Sequence, residues 1–372
     1  MKVLHFFKTY WPDTFGGVER TIHAIAQSTA SYGIESEVLS LSRAPTENTQ
    51  RFDGHMAHKA QLDFELASTG FSLEVFRRFN ELAGKADLIH YHFPWPFMDM
   101  VHFHSRHRKP SVVTYHSDIV KQRLLLPFYR PLMLRFLQDV DAIVATSPNY
   151  LKSSPVLKGF EARSTVIPIG IDENAYPVPT EADNNWCRLA VAEPFVLFVG
   201  VLRYYKGLDV LIQAANQVRC KIVIAGSGPI EPQLKLQAAK LRLDNVIFLG
   251  EVTEQRKMAL LHASRGFVFP SNQRSEAYGL SLVEAAMCAK AMISCEIGTG
   301  TTYVNEPGAT GLVVPPSDPA RLAEGINRLV DSPEEAERWG RAARDRYTNL
   351  FTADRMGKAY ASLYSRLDTR PA

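Results

Sequence analysis

Two glutamates, Glu276 and Glu284, stand eight residues apart in the segment VFPSNQRSEAYGLSLVEAAMCA (268–289), with Gly279 between them. An apolar run at 266–269 is stopped by Pro270-Ser271, a polar loop follows, and a helix opens near Gly279-Leu280-Ser281. A loop that ends in glycine at a helix start leaves backbone N–H groups unpaired, with the positive end of the helix dipole behind them. Such a place favours a phosphate. Were all eight residues helical, the two carboxylates would be separated by a rise of about 12 Å and a rotation of roughly 80°. They cannot share one atom of ligand, but they can bracket a long one. A glycosidase pair closes on a single bond at roughly 5 to 9.5 Å and needs no phosphate-ready helix start. A sugar–diphosphate–nucleoside fits better, with one carboxylate on sugar hydroxyls, the helix start on the diphosphate and the other carboxylate on ribose. The alternative is a pair of ordinary solvated helix glutamates.

Other residues suit the same ligand. In GVLRYYKG (200–207), Arg203 and Lys206 stand within reach of one anion, and two cations can neutralise a leaving diphosphate without a metal. They are otherwise two surface cations after a strand. In TYHSD (114–118), His116 falls at a strand end, where an imidazole can hydrogen-bond a sugar hydroxyl, and Asp118 can orient a partner or cap a helix. Gly16-Gly17 precedes a helix and lets backbone approach a ligand, or simply makes a turn. It is not G-x-G-x-x-G, and no acid stands at the dinucleotide position, so an NAD site is disfavoured. Gly226 in GSGP, Val252 in GEV and the GTGTT run at 298–302 offer small residues and backbone after further strands.

All histidines but His262 precede Ser117, among them His90/His92 and His102/His104/His107. Strand alternation is read as sending His90 and His92 to opposite faces. With no cysteine or carboxylate at ligand spacing, no metal site is expected.

The elements that must hold these groups repeat one rhythm: short apolar runs ending in polar residues, alternating with helical stretches. Strands are predicted at 3–7, 37–41, 87–92, 111–118 and 141–148, with helices at 18–31 and 72–85 and a loop with some extended structure over 43–68. After IPIGID (167–172) comes the Pro- and Asn-rich stretch 176–185, read as a linker. Strands at 194–202, 220–229 and 245–252 follow, and a last amphipathic helix at 352–367. This is the pattern of parallel α/β sheets, whose ligands gather at the carboxyl ends of the strands.

At 372 residues the chain is long enough for two domains. A hydrophobic fraction of 46%, a charged fraction of 22% and a net charge of +3 are those of a soluble globular protein and imply no nucleic-acid partner. Four scattered cysteines read as reduced thiols of a cytoplasmic protein, and MKVLHFFKTYWPD reads as a first strand, not a leader. Seven Lys/Arg between His102 and Gln138 face one acid, and 121–137 interleaves Lys121, Arg123, Arg130 and Arg135 with leucines and phenylalanines. Such a segment suits peripheral contact with an anionic membrane, or a buried helix with snorkelling arginines.

SEAYGLSLVEA resembles the E-x7-E segment of family 4 glycosyltransferases, and other landmarks follow in the same order: the Gly16-Gly17 loop, His116, IPIGID, Lys206 in VLRYYKG, and GSGP. The resemblance covers nearly the whole chain. It implies a GT-B fold, two Rossmann-like domains facing across a cleft: 1–175 on the acceptor side, joined by a C-terminal helix at 352–368, then the linker 176–185, then 186–351 holding the nucleotide sugar. It implies a retaining, metal-independent enzyme in which His116, Glu276 and Lys206 serve catalysis. Gly16, Gly17, Gly226, Val252, Tyr278, Gly279, Leu280 and Glu284 would bind the donor. The family's arginine position is Val201 here, so Arg203 is the proposed substitute. EIGTGTTYVN together with VLRYYKG is most similar to bacterial polysaccharide mannosyl- or rhamnosyl-type transferases, with a GDP-sugar as donor and a saccharide or polyprenyl-linked saccharide as acceptor. A sugar-nucleotide epimerase of the same fold and a non-catalytic nucleotide-sugar-binding subunit are the rival readings.

Overall fold

The computed structural model describes residues 1–45, 49–119, 125–191 and 194–368. The chain divides into two units, one of Met1–Gly170 together with the residues from Ala353 onward, the other of Ile171–Thr352.

The first unit runs β1 (Lys2–Phe6), α1 (Gly17–Ala30), β2 (Glu35–Ser42), β3 (Thr49–Phe52), β4 (His55–Gln61), the hairpin β5 (Phe64–Leu66) and β6 (Thr69–Phe71), α2 (Glu74–Lys85), β7 (Leu88–Phe93), α3 (Pro96–His104), β8 (Ser111–Tyr115), α4 (Leu126–Asp139), β9 (Ala142–Ala145), α5 (Pro148–Ser153) and β10 (Ser164–Val166). Eight strands among the described residues form one sheet in the order β10-β9-β8-β7-β1-β2-β4-β3, parallel except for β3 against β4. Strands such as β7 and β8 are buried at every residue because helices cover both faces.

The stretch at 43–68, expected as a loop with some extended structure, contains three strands. Its β4, HMAHKAQ, lacks an apolar pattern because its buried polar groups find partners. Lys59 Nζ pairs with Asp13 at 2.9 Å and donates to the Tyr10 carbonyl at 2.8 Å, and His55 bonds the Tyr10 hydroxyl at 2.9 Å. A buried polar side chain costs little once bonded, so the strand forms without the usual signature.

The second unit runs α6 (Glu181–Ala190), β11 (Phe195–Val199), α7 (Leu208–Ala214), β12 (Lys221–Ala225), α8 (Glu231–Lys240), β13 (Val246–Gly250), α9 (Glu254–Ala263), β14 (Gly266–Phe269), α10 (Leu280–Met287), β15 (Met292–Cys295), α11 (Thr301–Val304), β16 (Gly311–Val314), α12 (Pro319–Asp331) and α13 (Pro333–Leu350). Its described strands make an all-parallel sheet, β13-β12-β11-β14-β15-β16. The linker expected at 176–185 is a correction. Residues from Ile171 on belong to this unit, and Thr180 opens α6 with a capping box. Its hydroxyl accepts from Asp183 N at 3.2 Å while Asp183 Oδ2 accepts from Thr180 N at 3.0 Å.

Helix α14 (Ala353–Asp368) returns to the first unit and packs along α1. Gly357 permits the approach, since a Cβ there would lie 2.4 Å from the Ser28 carbonyl oxygen. Its Met356, Tyr360, Leu363 and Tyr364 are buried at helical spacing.

Candidate active site

In the second unit β11 lies between β12 and β14, so the chain leaves β11 toward one edge of the sheet and later returns to its other side. Ligands of open parallel sheets bind at the strand ends where that reversal occurs. The loops after β11 and β14 meet there. Gly207 has φ 64°, and a Cβ on it would lie 2.0 Å from the Pro270 carbonyl oxygen, so glycine lets the two loops touch. Asn272 N then donates to the Tyr205 carbonyl at 3.1 Å. This contact brings Lys206 of one loop onto Glu276 of the other. The ammonium donates to Glu276 Oε2, the two side chains are 12% and 11% exposed, and Nζ sits 4.6 Å from the centroid of Phe269. Shielded from water, each charge holds the other where a diphosphate and a sugar hydroxyl could replace it.

Gly279, at φ 90°, caps α10; the N–H groups of Leu280 and Ser281, at the helix start, have no helical carbonyl behind them, and the first turn carries no acid to take them. Gly300 N donates to the Ala277 carbonyl at 2.8 Å and the Arg274 guanidinium to the Gly298 carbonyl at 2.8 Å, which ties this loop to the GTG turn. Tyr278 is buried with its ring nearly perpendicular to that of Phe351. Farther along α10, Glu284 Oε1 accepts from Lys257 Nζ at 2.8 Å and from the Tyr176 hydroxyl at 3.0 Å. Burial would pull the Lys257 ammonium down, but Glu284 and Glu254 outweigh it and hold the pKa above its ordinary value. Neither Lys257 nor Tyr176 carried a signal in the sequence; one sits mid-helix and the other in a proline-rich stretch.

Of the remaining expected residues, Arg203 is exposed and its side chain forms no hydrogen bond or ion pair among the described residues, while its carbonyl accepts from Lys206 N at 3.0 Å; Val201 is 53% exposed. Gly226, at φ 130°, is a glycine because a Cβ would lie 2.2 Å from the Gly200 carbonyl oxygen. Its N–H donates to Gly250 O at 2.7 Å, which joins the ends of β12 and β13, and Val252 follows, half-buried before α9.

In the first unit the reversal falls between β1 and β7. Gly16 and Gly17 open α1 after β1. The helix start already faces its own carboxylate, Glu19, which accepts from the hydroxyls of Thr9 at 2.8 Å and Thr14 at 2.7 Å. An added Cβ on Gly17 would meet nothing within 4 Å. His116 follows β8 and is buried; desolvation lowers its pKa to about 3. Asp118 Oδ1 accepts from the Tyr115 hydroxyl at 2.9 Å and the Ser154 hydroxyl at 2.6 Å.

His90 and His92 share one face of β7, contrary to the expectation. Side chains alternate with period two, so positions i and i+2 point the same way, and the rings stack at 4.3 Å. Together with His5 they bring one ring nitrogen each within 4.8 Å of one another, a spacing a metal could use. Both nitrogens of His90 are however engaged, with the Tyr364 hydroxyl at 2.6 Å and the Thr114 hydroxyl at 2.7 Å, and His5 bonds His92. The set is built as a hydrogen-bonded column.

In the basic segment, Lys121, Arg123 and Leu124 lie outside the described residues. Met133, Phe136 and Leu137 of α4 face the core, while Leu125 and Phe128 are 53% and 85% exposed beside exposed Arg130 and Arg135. No described helix is long and apolar enough to cross a membrane.

Two parallel α/β units, with a cation–carboxylate pair and a free helix start at the reversal of the second, define a GT-B glycosyltransferase. The family model Glycosyltransferase Family 4 matches residues 15–175 and Glycosyl transferases group 1 matches residues 187–346. The chain belongs to this glycosyltransferase family. It is 53% identical over 354 residues to the D-rhamnosyltransferase WbpZ of Pseudomonas aeruginosa, covering 95% of this chain and 93% of that one. It is 44% identical over 367 residues to the O-antigen chain mannosyltransferase C of Escherichia coli, covering 99% of each. Among solved structures, its fold matches sucrose-phosphate synthase of Thermosynechococcus elongatus, with a TM-score of 0.81, 21% identity and 98% of each chain covered. It also matches Anabaena HepE in complex with UDP-glucose, with a TM-score of 0.77, 20% identity, and 98% of this chain and 100% of that one covered.

Proposed function

We propose that the protein transfers a mannose- or rhamnose-type hexosyl residue from a nucleoside-diphosphate sugar, with GDP as the favoured nucleotide, to a saccharide or polyprenyl-linked saccharide during synthesis of an O-antigen-like polysaccharide in the cytoplasm. The observation that carries this reading is the Lys206–Glu276 pair beside the Gly279 opening of α10. The rhamnosyl and mannosyl activities of the two relatives matched over nearly their full length support the sugar and the pathway class.

In this reading the diphosphate takes the N–H groups of Leu280 and Ser281 and the ammonium of Lys206. Glu276, released from the lysine, accepts from donor-sugar hydroxyls, and Glu284 uses its Oε2 for ribose. His116 holds a sugar hydroxyl. The anomeric carbon–phosphate oxygen bond breaks and an anomeric carbon–acceptor oxygen bond forms on the same face, with the acceptor proton passing to the leaving phosphate. Retention and metal independence follow from that route. Fixed cations and N–H groups supply the stabilisation of developing negative charge that a metal would otherwise give.

The test incubates purified protein with GDP-, UDP- and dTDP-linked mannose and rhamnose, a lipid-linked saccharide acceptor, and EDTA in one arm. Transfer from a GDP-sugar with retained configuration and no loss in EDTA supports the proposal. Epimerisation without acceptor, or donor binding without transfer, replaces it with one of the rival readings. Peripheral membrane contact through α4 is tested by flotation with anionic vesicles. Phe128→Ser with Arg130→Gln and Arg135→Gln should reduce the bound fraction, and equal flotation of variant and wild type removes that part.

A further inference from the structure

Four histidines from three neighbouring strand segments lie side by side in the first unit. His5 on β1 and His90 on β7 are paired in register, His92 is two residues on, and His116 follows β8. Three of them form a continuous chain. His5 Nδ1 is 3.1 Å from His92 Nε2, and His92 Nδ1 is 3.0 Å from His116 Nε2. All are buried, and desolvation lowers the pKa of each: to about 3 for His5 and His116, and well below the ordinary value for His92. Each ring is therefore neutral at physiological pH and carries one N–H.

A chain of neutral imidazoles has two possible polarities, because each ring that donates from one nitrogen must accept at the other. The end at His5 decides between them. His5 Nε2 is buried and has no hydrogen-bond partner among the described residues. If the chain ran from His116 toward His5, that nitrogen would carry an orphaned, buried N–H. If it ran the other way, the nitrogen would be an unused lone pair. Orphaned buried donors are the rarer and costlier of the two. The protons therefore sit on His5 Nδ1, on His92 Nδ1 and, at the open end, on His116 Nδ1, which bonds no other described residue. His90, stacked on His92 at 4.3 Å and anchored through Tyr364 and Thr114, keeps the middle ring from turning over.

We infer that His5 and His92 are positioning residues that fix His116 as the tautomer protonated on Nδ1, so that it meets its ligand as a neutral hydrogen-bond donor. The ligand atom opposite it is then an acceptor: the oxygen of a sugar hydroxyl, or another oxygen carrying no proton toward the ring. The step rests on the proposed contact of His116 with the donor sugar only for its consequence, not for the tautomer.

The test is two-bond ¹H–¹⁵N NMR on protein labelled at histidine, which reads the protonation of each ring nitrogen directly, with His116 assigned by its His116→Gln variant. Nδ1 of His5, His92 and His116 should all be protonated at pH 7, with Nε2 of each in the unprotonated range. A proton on His116 Nε2, or an imidazolium there, overturns the inference. Two variants act on the middle ring. His92→Asn keeps an amide N–H where Nδ1 stood and should leave His116 protonated on Nδ1. His92→Asp places an acceptor there and should move the His116 proton to Nε2. If both leave it unchanged, His92 does not set the tautomer. In the wild type, adding GDP-mannose should shift the His116 signals, and in turnover His92→Asn should retain kcat while His92→Asp lowers it roughly tenfold, the value of one hydrogen bond. The expected tautomer with no response to any sugar nucleotide would leave the inference standing and remove the contact of His116 with the donor.

Discussion

The ammonium of Lys206 donates to Glu276, and the same nitrogen lies over the ring of Phe269, so three residues from the loop after β11, from β14 and from the loop between β14 and α10 meet around one positive charge. Without ligand the pair neutralises itself. A diphosphate arriving at the start of α10 would take the lysine and leave the carboxylate facing sugar hydroxyls, which couples the two halves of donor recognition.

Lys206→Ala should lower kcat by on the order of 100- to 1000-fold, the usual loss when one fixed group that stabilises developing charge is removed. Arg203→Ala, at an exposed side chain with no partner among the described residues, should cost less than about tenfold. Steady-state kinetics on both variants checks the order. A larger loss at Arg203 than at Lys206 would move the phosphate clamp to Arg203.

Glu284 holds a lysine that is only 7% exposed. Glu284→Ala should destabilise the protein by about 3 kcal/mol, because it leaves the Lys257 ammonium with Glu254 as its remaining carboxylate. Glu284→Gln keeps an acceptor for both partners and should lose less stability while raising the donor KM. Urea melts beside kinetics separate the two effects.

Gly207 and Gly17 should respond in opposite ways. At Gly207 a methyl collides with backbone and the conformation is left-handed, so Gly207→Ala should cost about 2 kcal/mol or more and displace Lys206. At Gly17 a methyl meets open space at a helix start, and Gly17→Ala should leave stability within about 0.5 kcal/mol. Lost donor affinity in that variant would place ligand against the glycine loop. Thermal melts and nucleotide titrations measure both.

The histidine column makes the first unit sensitive to acid. His5 and His116 have folded-state pKa values near 3, and those of His90 and His92 are also lowered by burial, all below the ordinary 6.5. Between those limits the unfolded chain binds protons that the folded chain does not. Stability is therefore full above about pH 6.5 and falls as pH drops toward 3, by up to about 1.4 kcal/mol per histidine per pH unit. Replacing His90 with Gln should flatten the dependence of unfolding free energy on pH between 7 and 5.

Much of this was legible from residue order alone. The alternation of apolar runs and helical stretches exposed both sheets, because parallel strands buried on two faces read as unbroken apolar runs. β4 was missed because His55, His58 and Lys59 are buried through partners remote in sequence. Thr180 to Asp183 reads as linker by its Pro- and Asn-rich surroundings, although its T-x-x-D spacing is that of a cap. At the site, Glu276, Lys206 and Gly279 were visible as motif positions, but their meeting depends on Gly207 touching Pro270, a long-range contact with no local trace. Lys257, Tyr176 and the proton order of the histidine chain depend on three-dimensional partners and leave no mark in residue order.

The most direct test is a crystal structure with GDP bound. The account predicts density for the diphosphate within about 3 Å of the Leu280 and Ser281 N–H groups and of Lys206 Nζ, with the ribose beside Glu284. A nucleotide held elsewhere, with Lys206 still paired to Glu276, would contradict it.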